Sequence, residues 1–222
     1  MPPLVWHPSR NFRIPSGIRQ PQWIILHYTS SHNEDGDLST LTSPNEPGTP
    51  SAHFLIQRDG AILWLVRLND IAFHAGIRAT DEESRERKAA LSPNEKSIGI
   101  EICNAGPPEI FADAQYAALA WLLPRLCHHA GIPAVVIDHP MRGMDEHAEP
   151  AALTIAELIK FRGVLGHGNT HFSKTDPGLL FNWPRVARDI SRPLPFGPLD
   201  KVTSVLMNDE PNKIPKGGWV YA

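Results

Sequence analysis

Trp23-Ile24-Ile25-Leu26-His27-Tyr28-Thr29 is the stretch that decides the fold class. It is short, apolar and aromatic, and no turn residue interrupts it, which is the signature of a buried strand. Polar sequence follows at once, so His27 sits where a strand ends and a side chain can reach a cleft. Two further runs read as its partners. In Ser97-Ile98-Gly99-Ile100-Glu101-Ile102-Cys103, alternation puts the three isoleucines on one face and Ser97, Gly99, Glu101 and Cys103 on the other. Gly163-Val164-Leu165-Gly166-His167 reads as another strand end. Ala52 to Gln57 and Ala61 to Val66 flank Arg58-Asp59-Gly60, and Asp-Gly between apolar runs signals a hairpin.

Helices are expected from Asp113, a plausible N-cap, to about His129 before Gly131, and from Thr154 through Lys160. Another is expected from Trp183-Pro184 to about Ile190. Pro124 falls inside the first of these and should kink or break it. With a hairpin present and no regular βαβ alternation, the expectation is a mixed α/β (α+β) domain: a central mixed sheet flanked by helices. Residues 1–20 read as an irregular lead-in, and Ser30 to Pro50 as a surface loop with one helical turn. Arg78 to Lys96 reads as a solvated charged stretch and Asp138 to Pro150 as an inserted loop. The proline-rich segment 193–222 reads as an extended tail without a core of its own, which leaves one domain over 1–192 with its core at about 21–190.

The 222 residues suit one domain with an appendage. A net charge of -3 without a basic block argues against nucleic acid as a partner. No apolar run approaches the roughly 20 residues of a membrane span. The N-terminus lacks a basic start followed by an apolar stretch, so cytoplasmic synthesis is expected, with signal-independent delivery to the periplasm or cell wall left open. Cys103 and Cys127 form no CxxC pair and are expected to be buried thiols.

The chemistry rests on His27 and on Gly166-His167-Gly168-Asn169-Thr170-His171-Phe172-Ser173-Lys174-Thr175-Asp176-Pro177. Two imidazoles and a carboxylate suit zinc, whose catalytic sites commonly keep three protein ligands and one water. Asp176 precedes a proline, which favours extended backbone able to present the carboxylate to a strand end. His171 is the rival ligand, but its spacing of four from His167 helps only on a helix, and the glycines and Asn169 argue against one. Glu101 is either a solvated surface glutamate or a general acid/base partly shielded from water. Lys174, two residues from Asp176, is either solvated or a cation placed to stabilise an oxyanion.

These segments, in this order, resemble the zinc-dependent N-acetylmuramoyl-L-alanine amidases of the AmpD-like (amidase type 2) family, relatives of the peptidoglycan recognition proteins. The matching parts are the strand with His27; Ser51-Ala52-His53-Phe54-Leu55-Ile56 with Asp59-Gly60; Ala72-Phe73-His74-Ala75-Gly76; and Asn94-Glu95-Lys96-Ser97-Ile98-Gly99-Ile100-Glu101. Gly166-His167 and Lys174-Thr175-Asp176-Pro177-Gly178 with Phe181-Asn182-Trp183 complete the set. The resemblance implies a Zn2+ held by His27, His167 and Asp176, with Glu101 as general base and Lys174 as transition-state stabiliser. It also implies substrate-groove positions at His74, His53 and Asn94. The bond cut would join the lactyl group of N-acetylmuramic acid to the L-alanine of a peptidoglycan or muropeptide stem. The family's arginine before the lysine is Ser173 here, which weakens the expectation of specialisation for anhydro-sugar ligands. A non-catalytic peptidoglycan-binding module and an amidase for another peptide remain alternatives. A wall-degrading toxin would add a protein inhibitor or delivery partner.

Overall fold

The computed structural model describes residues 2–43, 49–137, 152–192 and 201–219. In chain order the elements begin with β1 (Leu4–Trp6), β2 (Phe12–Arg13), β3 (Trp23–Tyr28) and α1 (Glu34–Thr42). The hairpin β4 (Phe54–Ile56) and β5 (Ile62–Trp64) follows, then β6 (Ile71–Ala72), α2 (Glu82–Leu91), α3 (Pro93–Lys96) and β7 (Ser97–Ile102). Next come α4 (Asp113–Ala130), α5 (Ile155–Lys160), β8 (Gly163–Gly166), α6 (His167–Thr170), α7 (Trp183–Ile190) and α8 (Lys201–Met207).

A six-stranded sheet runs in the order β1-β5-β4-β7-β3-β8. Every neighbouring pair is parallel except the β4–β5 hairpin, so the sheet is mixed, as expected. The pair β2–β6 forms a separate antiparallel ribbon. Alternation along β3 and β7 divides the sheet into two faces. Ile24, Leu26, Ile98, Ile100 and Ile102 join the main core beneath α4 and α7. On the other face Trp23 and Ile25 belong to one small cluster, and Leu55 and Cys103 to another. His27 and Glu101 emerge on that second face, by the two-residue period of the strands.

Local signals explain the helix boundaries. Thr154 and Glu157 satisfy each other's backbone N–H at the start of α5, and Asn182 Oδ1 accepts from Arg185 N at the start of α7. Gly131 closes α4 in the left-handed region at φ 61°. Asp113 proves to be the first helical residue rather than the cap, and Gln115 Oε1 reaches back to Ala112 N. Pro124 lies within α4 without ending it. Both cysteines are buried and free.

Several expectations for the connecting segments are corrected. The lead-in contains β1, which pairs in parallel with β5, and the β2 strand. Ser30 to Pro50 holds a nine-residue helix, α1, started by Asn33 Oδ1 accepting from Gly36 N. The charged stretch folds as α2 and α3, and its Arg87 is buried, donating to Leu153 O and Thr170 O. The segment after 193 has core contacts after all: Val202, Val205, Leu206 and Ile214 join the main core, and Trp219 bridges to Leu4. Asp209 accepts from Leu68 N and Asn69 N at 2.7 and 3.0 Å. Proline density indicated a tail because prolines forbid long helices. They do not forbid a short amphipathic one between them. The loop at 138–150, and 193–200 of the tail, lie outside the described residues. Among the described residues, no helix is long and apolar enough to cross a membrane.

Candidate metal centre and active site

Strand register assembles the site. His27 on β3 is directly opposite Glu101 on β7, and Leu26 is opposite Gly166, the last residue of β8. His167 follows Gly166, so His27, Glu101 and His167 stand at the same level across three adjacent parallel strands. The loop after α6 then folds back over the strand ends. Gly168 N donates to Asp176 O at 3.0 Å. A side chain at Gly166 would bring a Cβ within 2.7 Å of Pro177 Cδ and 2.9 Å of Asp176 O, so the absence of one is what lets this loop close.

Asp176 Oδ2 lies 2.7 Å from His27 Nδ1 and 3.2 Å from His167 Nδ1. His27 and His167 are buried, while the Asp176 carboxylate keeps a 16% exposed edge. Their ligand atoms all fall within 4.8 Å of one another. Metal–ligand bonds of about 2.0–2.2 Å need donors roughly 3–4 Å apart, so the trio fits one ion with small adjustment. His167 Nε2 and Glu101 Oε2 are buried polar atoms with no hydrogen-bond partner. Polar atoms rarely stay so inside a protein unless something other than protein satisfies them.

The electrostatics divide the roles. Burial lowers the His27 imidazole to about 4, so the ring is neutral and able to ligate at neutral pH. Burial opposes ionisation of Asp176, but hydrogen bonds from His167 and His27 outweigh it and hold the carboxyl well below its usual range. Glu101 goes the other way. Burial, then the charges of Asp176 and Asp37, raise it to about 8, and Lys174 opposes them. Lys174 itself is exposed on the rim, near enough for its charge to be felt at both His27 and Glu101. A cavity of 470 Å³ opens beside Glu101, lined by Tyr28, Thr29, Ser31, Asn33 and Asp37 among others.

The N-acetylmuramoyl-L-alanine amidase family (Amidase_2) matches residues 17–179, the span that contains every one of these groups. The chain belongs to this family. The amidase is similar to the 1,6-anhydro-N-acetylmuramyl-L-alanine amidase AmpD of Salmonella typhimurium, at 31% identity over 176 residues, 79% of this chain and 74% of that protein. Among solved structures it resembles a selenomethionine AmpD derivative, with TM-score 0.58 and 23% identity over 85% of this chain and 95% of that one. It also resembles AmiD from E. coli, solved in complex with anhydro-N-acetylmuramic acid-L-Ala-D-gamma-Glu-L-Lys, with TM-score 0.51 and 23% identity over 79% of this chain and 59% of that one. At such identities the two structures speak for the fold.

Of the residues singled out in the amidase sequence, His27, His167, Asp176, Glu101 and Lys174 converge. His171 does not: its Nδ1 accepts from Ser173 N, and its Nε2 lies 3.4 Å from Ser84 Oγ. The turn that carries His167 is nonetheless helical, because α6 forms despite its glycine. The expectation of a groove position for His53 is corrected. His53 is fully buried, its Nδ1 accepts from Gly99 N, and its Nε2 is left to donate to Asp70 O. His74 is buried too, against His27 and Ser97. Asn94 spends its Oδ1 on His74 N and Ala75 N. Motif position does not distinguish a groove wall from the layer behind it.

Sequence reasoning missed Arg19 and Asp37. Arg19 donates to Leu68 O and Asp70 O at 2.6 and 2.5 Å and stays charged although burial lowers it to about 10. Asp37 is a buried helix residue whose Oδ2 has no partner. Nothing in the local sequence of either separates it from a surface charge.

Proposed function

We propose that this amidase uses a zinc ion held by His27, His167 and Asp176 to hydrolyse the amide between the lactyl group of N-acetylmuramic acid and the L-alanine of a stem peptide. The observation that carries this reading is the alignment of His27, Glu101 and His167 on three neighbouring strand ends, with Asp176 closing the triangle. Nitrogen and carboxylate donors match zinc, and three protein ligands leave a fourth position for water. Bound there, zinc supplies Lewis acidity and a water acidified towards neutral pH.

Glu101 does the proton work. Burial raises its carboxyl to about 8 in the metal-free chain, and a cation held by the triangle would favour the ionised form, in which it takes a proton from the attacking water and returns it to the leaving alanine nitrogen. Lys174 contributes positive charge towards the oxyanion that forms as the carbonyl is attacked. The cavity beside Glu101 offers room for part of the substrate. Similarity to AmpD supports a soluble 1,6-anhydro-muropeptide as the first substrate. Ser173, standing where an arginine would add a bidentate anion contact, makes intact wall the necessary second arm.

The test is mass spectrometry of digests of a soluble anhydro-muropeptide and of intact peptidoglycan, with Glu101→Ala as control. Free stem peptide beginning with L-alanine is the expected product. No release from either substrate by zinc-loaded protein would overturn the reading.

A further inference from the structure

The cavity beside Glu101 has a second acidic wall, supplied by α1. Asp37 lines it together with Thr40 and Leu41 of the same helix. Residues 37 and 41 lie one turn apart and share a face. Leu41 packs into the apolar cluster with Leu55 and Cys103, so an apolar side chain is what this face would ordinarily carry at 37 as well. Asp37 stands there instead, 8% exposed, and its Oδ2 has no hydrogen-bond partner. The other acids of the first helical turn have clear placements. Asp35 is exposed, and Glu34 Oε1 accepts from Arg58 N at 2.6 Å. The polar residues before Asp37 bond within their own turn: Ser31 Oγ accepts from Asn33 N, and Asn33 Oδ1 from Gly36 N. None of the described residues lining the cavity is a lysine or an arginine.

A buried carboxylate without a partner destabilises the fold that holds it. Such groups are ordinarily satisfied, if not by protein then by something the protein binds. This one stands at the wall of an open cavity of 470 Å³ whose lining also includes Glu101 and Tyr28, the residue after His27.

We propose that Asp37 binds an ammonium group of the stem peptide, so that this cavity is a subsite selecting muropeptides whose stem carries a free amino group. This rests on the reading of the site as a muropeptide amidase and names the chemistry of one part of its substrate. An ammonium has three donors and no acceptor, the complement of a carboxylate, which when ionised only accepts. A sugar hydroxyl could donate to Asp37 too, but the lining has two acids and no base, which favours a positive ligand over a neutral one. The cavity adjoins the general base, so the group held there belongs to the molecule whose amide is cut.

The experiment measures kcat and KM of the zinc-loaded protein on two soluble muropeptides. They differ only in the side-chain amino group of the stem's diamino residue, free in one and acetylated in the other. Both are repeated with Asp37→Asn, which keeps the shape and removes the charge. The unmutated protein should show a KM about 10–100-fold lower for the free amine with kcat little changed, as for a charge-assisted hydrogen bond made equally before and during reaction. In Asp37→Asn, folded by circular dichroism, the free-amine KM should rise until the two substrates are nearly equal. Equal KM values for the unmutated protein overturn the subsite whether or not the variant folds. A folded Asp37→Asn that keeps the preference overturns it too, and a KM raised equally for both substrates would then give Asp37 a neutral donor such as a sugar hydroxyl. Hydrolysis of neither substrate by the unmutated protein removes the amidase reading itself, and the subsite with it.

Discussion

At the scale of single residues, two carboxylates of one site are driven in opposite directions. Asp176 is held ionised by two imidazoles, while in the metal-free chain Glu101 is drawn towards its protonated form by burial and by the charge of Asp176. Replacing Glu101 by alanine should lower turnover by about 10²–10⁴-fold and leave zinc stoichiometry at one, checked by metal analysis beside the digest assay. Asp176→Ala should lose both metal and activity, and stoichiometric zinc in that variant would remove Asp176 from the ligand set. Glu101 also makes the metal-free protein sensitive to pH. Its ordinary value of 4.5 applies in the unfolded chain and about 8 in the folded one, so between these limits the folded state binds the extra proton. Stability attributable to this group is therefore full below about pH 4.5, falls as pH rises, and has gone above about pH 8. Glu101→Gln should raise the melting temperature of metal-free protein at pH 8–9, by the equivalent of a few kcal/mol, with little change near pH 4. Equal pH slopes for the two proteins would contradict that origin.

At the scale of elements, the inner strands β3, β4, β5, β7 and β8 were legible, while β1, β2, β6 and the peripheral helices were not. The β3 run, the alternation in Ser97 to Ile102 and the Asp-Gly turn encode burial in a two-residue period, and the structure follows them closely. The helices α1 and α8 escaped the reading because both are short and lie beside prolines. Their stability comes from what they pack on. For α8 that is the main core, through Val202, Val205 and Leu206. Leu206→Ala should therefore cost about 2–5 kcal/mol by denaturant titration, a core penalty from a segment that reads as a tail. A cost near zero would restore the tail reading. The Asp209 carboxylate supplies the acceptors for two backbone N–H groups of the Leu68–Asn69 turn. Asp209→Ala should cost a further ~1–3 kcal/mol, since both donors lose their partner.

At the scale of the whole molecule, the sheet separates stability from chemistry. Beneath it lies a continuous apolar core. Above it, two smaller clusters leave a polar seam in which His53, His74, His27 and His167 follow one another ring to ring, at centroid spacings of 5.8, 5.1 and 4.6 Å. The candidate metal-site half of that seam could be read from residue types and strand ends, because His27 and His167 come at the end of apolar runs and Glu101 interrupts the isoleucines of β7. The supporting half could not, because Arg19 and Asp37 join the site only through packing between segments far apart in sequence. The central claim is that one zinc in the His27–His167–Asp176 triangle is what makes this chain an amidase. Its most direct test strips the protein with chelator, adds zinc in fractions of an equivalent, and follows stem-peptide release from a soluble muropeptide. The expected result is no release from stripped protein and a rise that levels off at one equivalent of zinc. Full release by stripped protein, or none at saturating zinc, would contradict it.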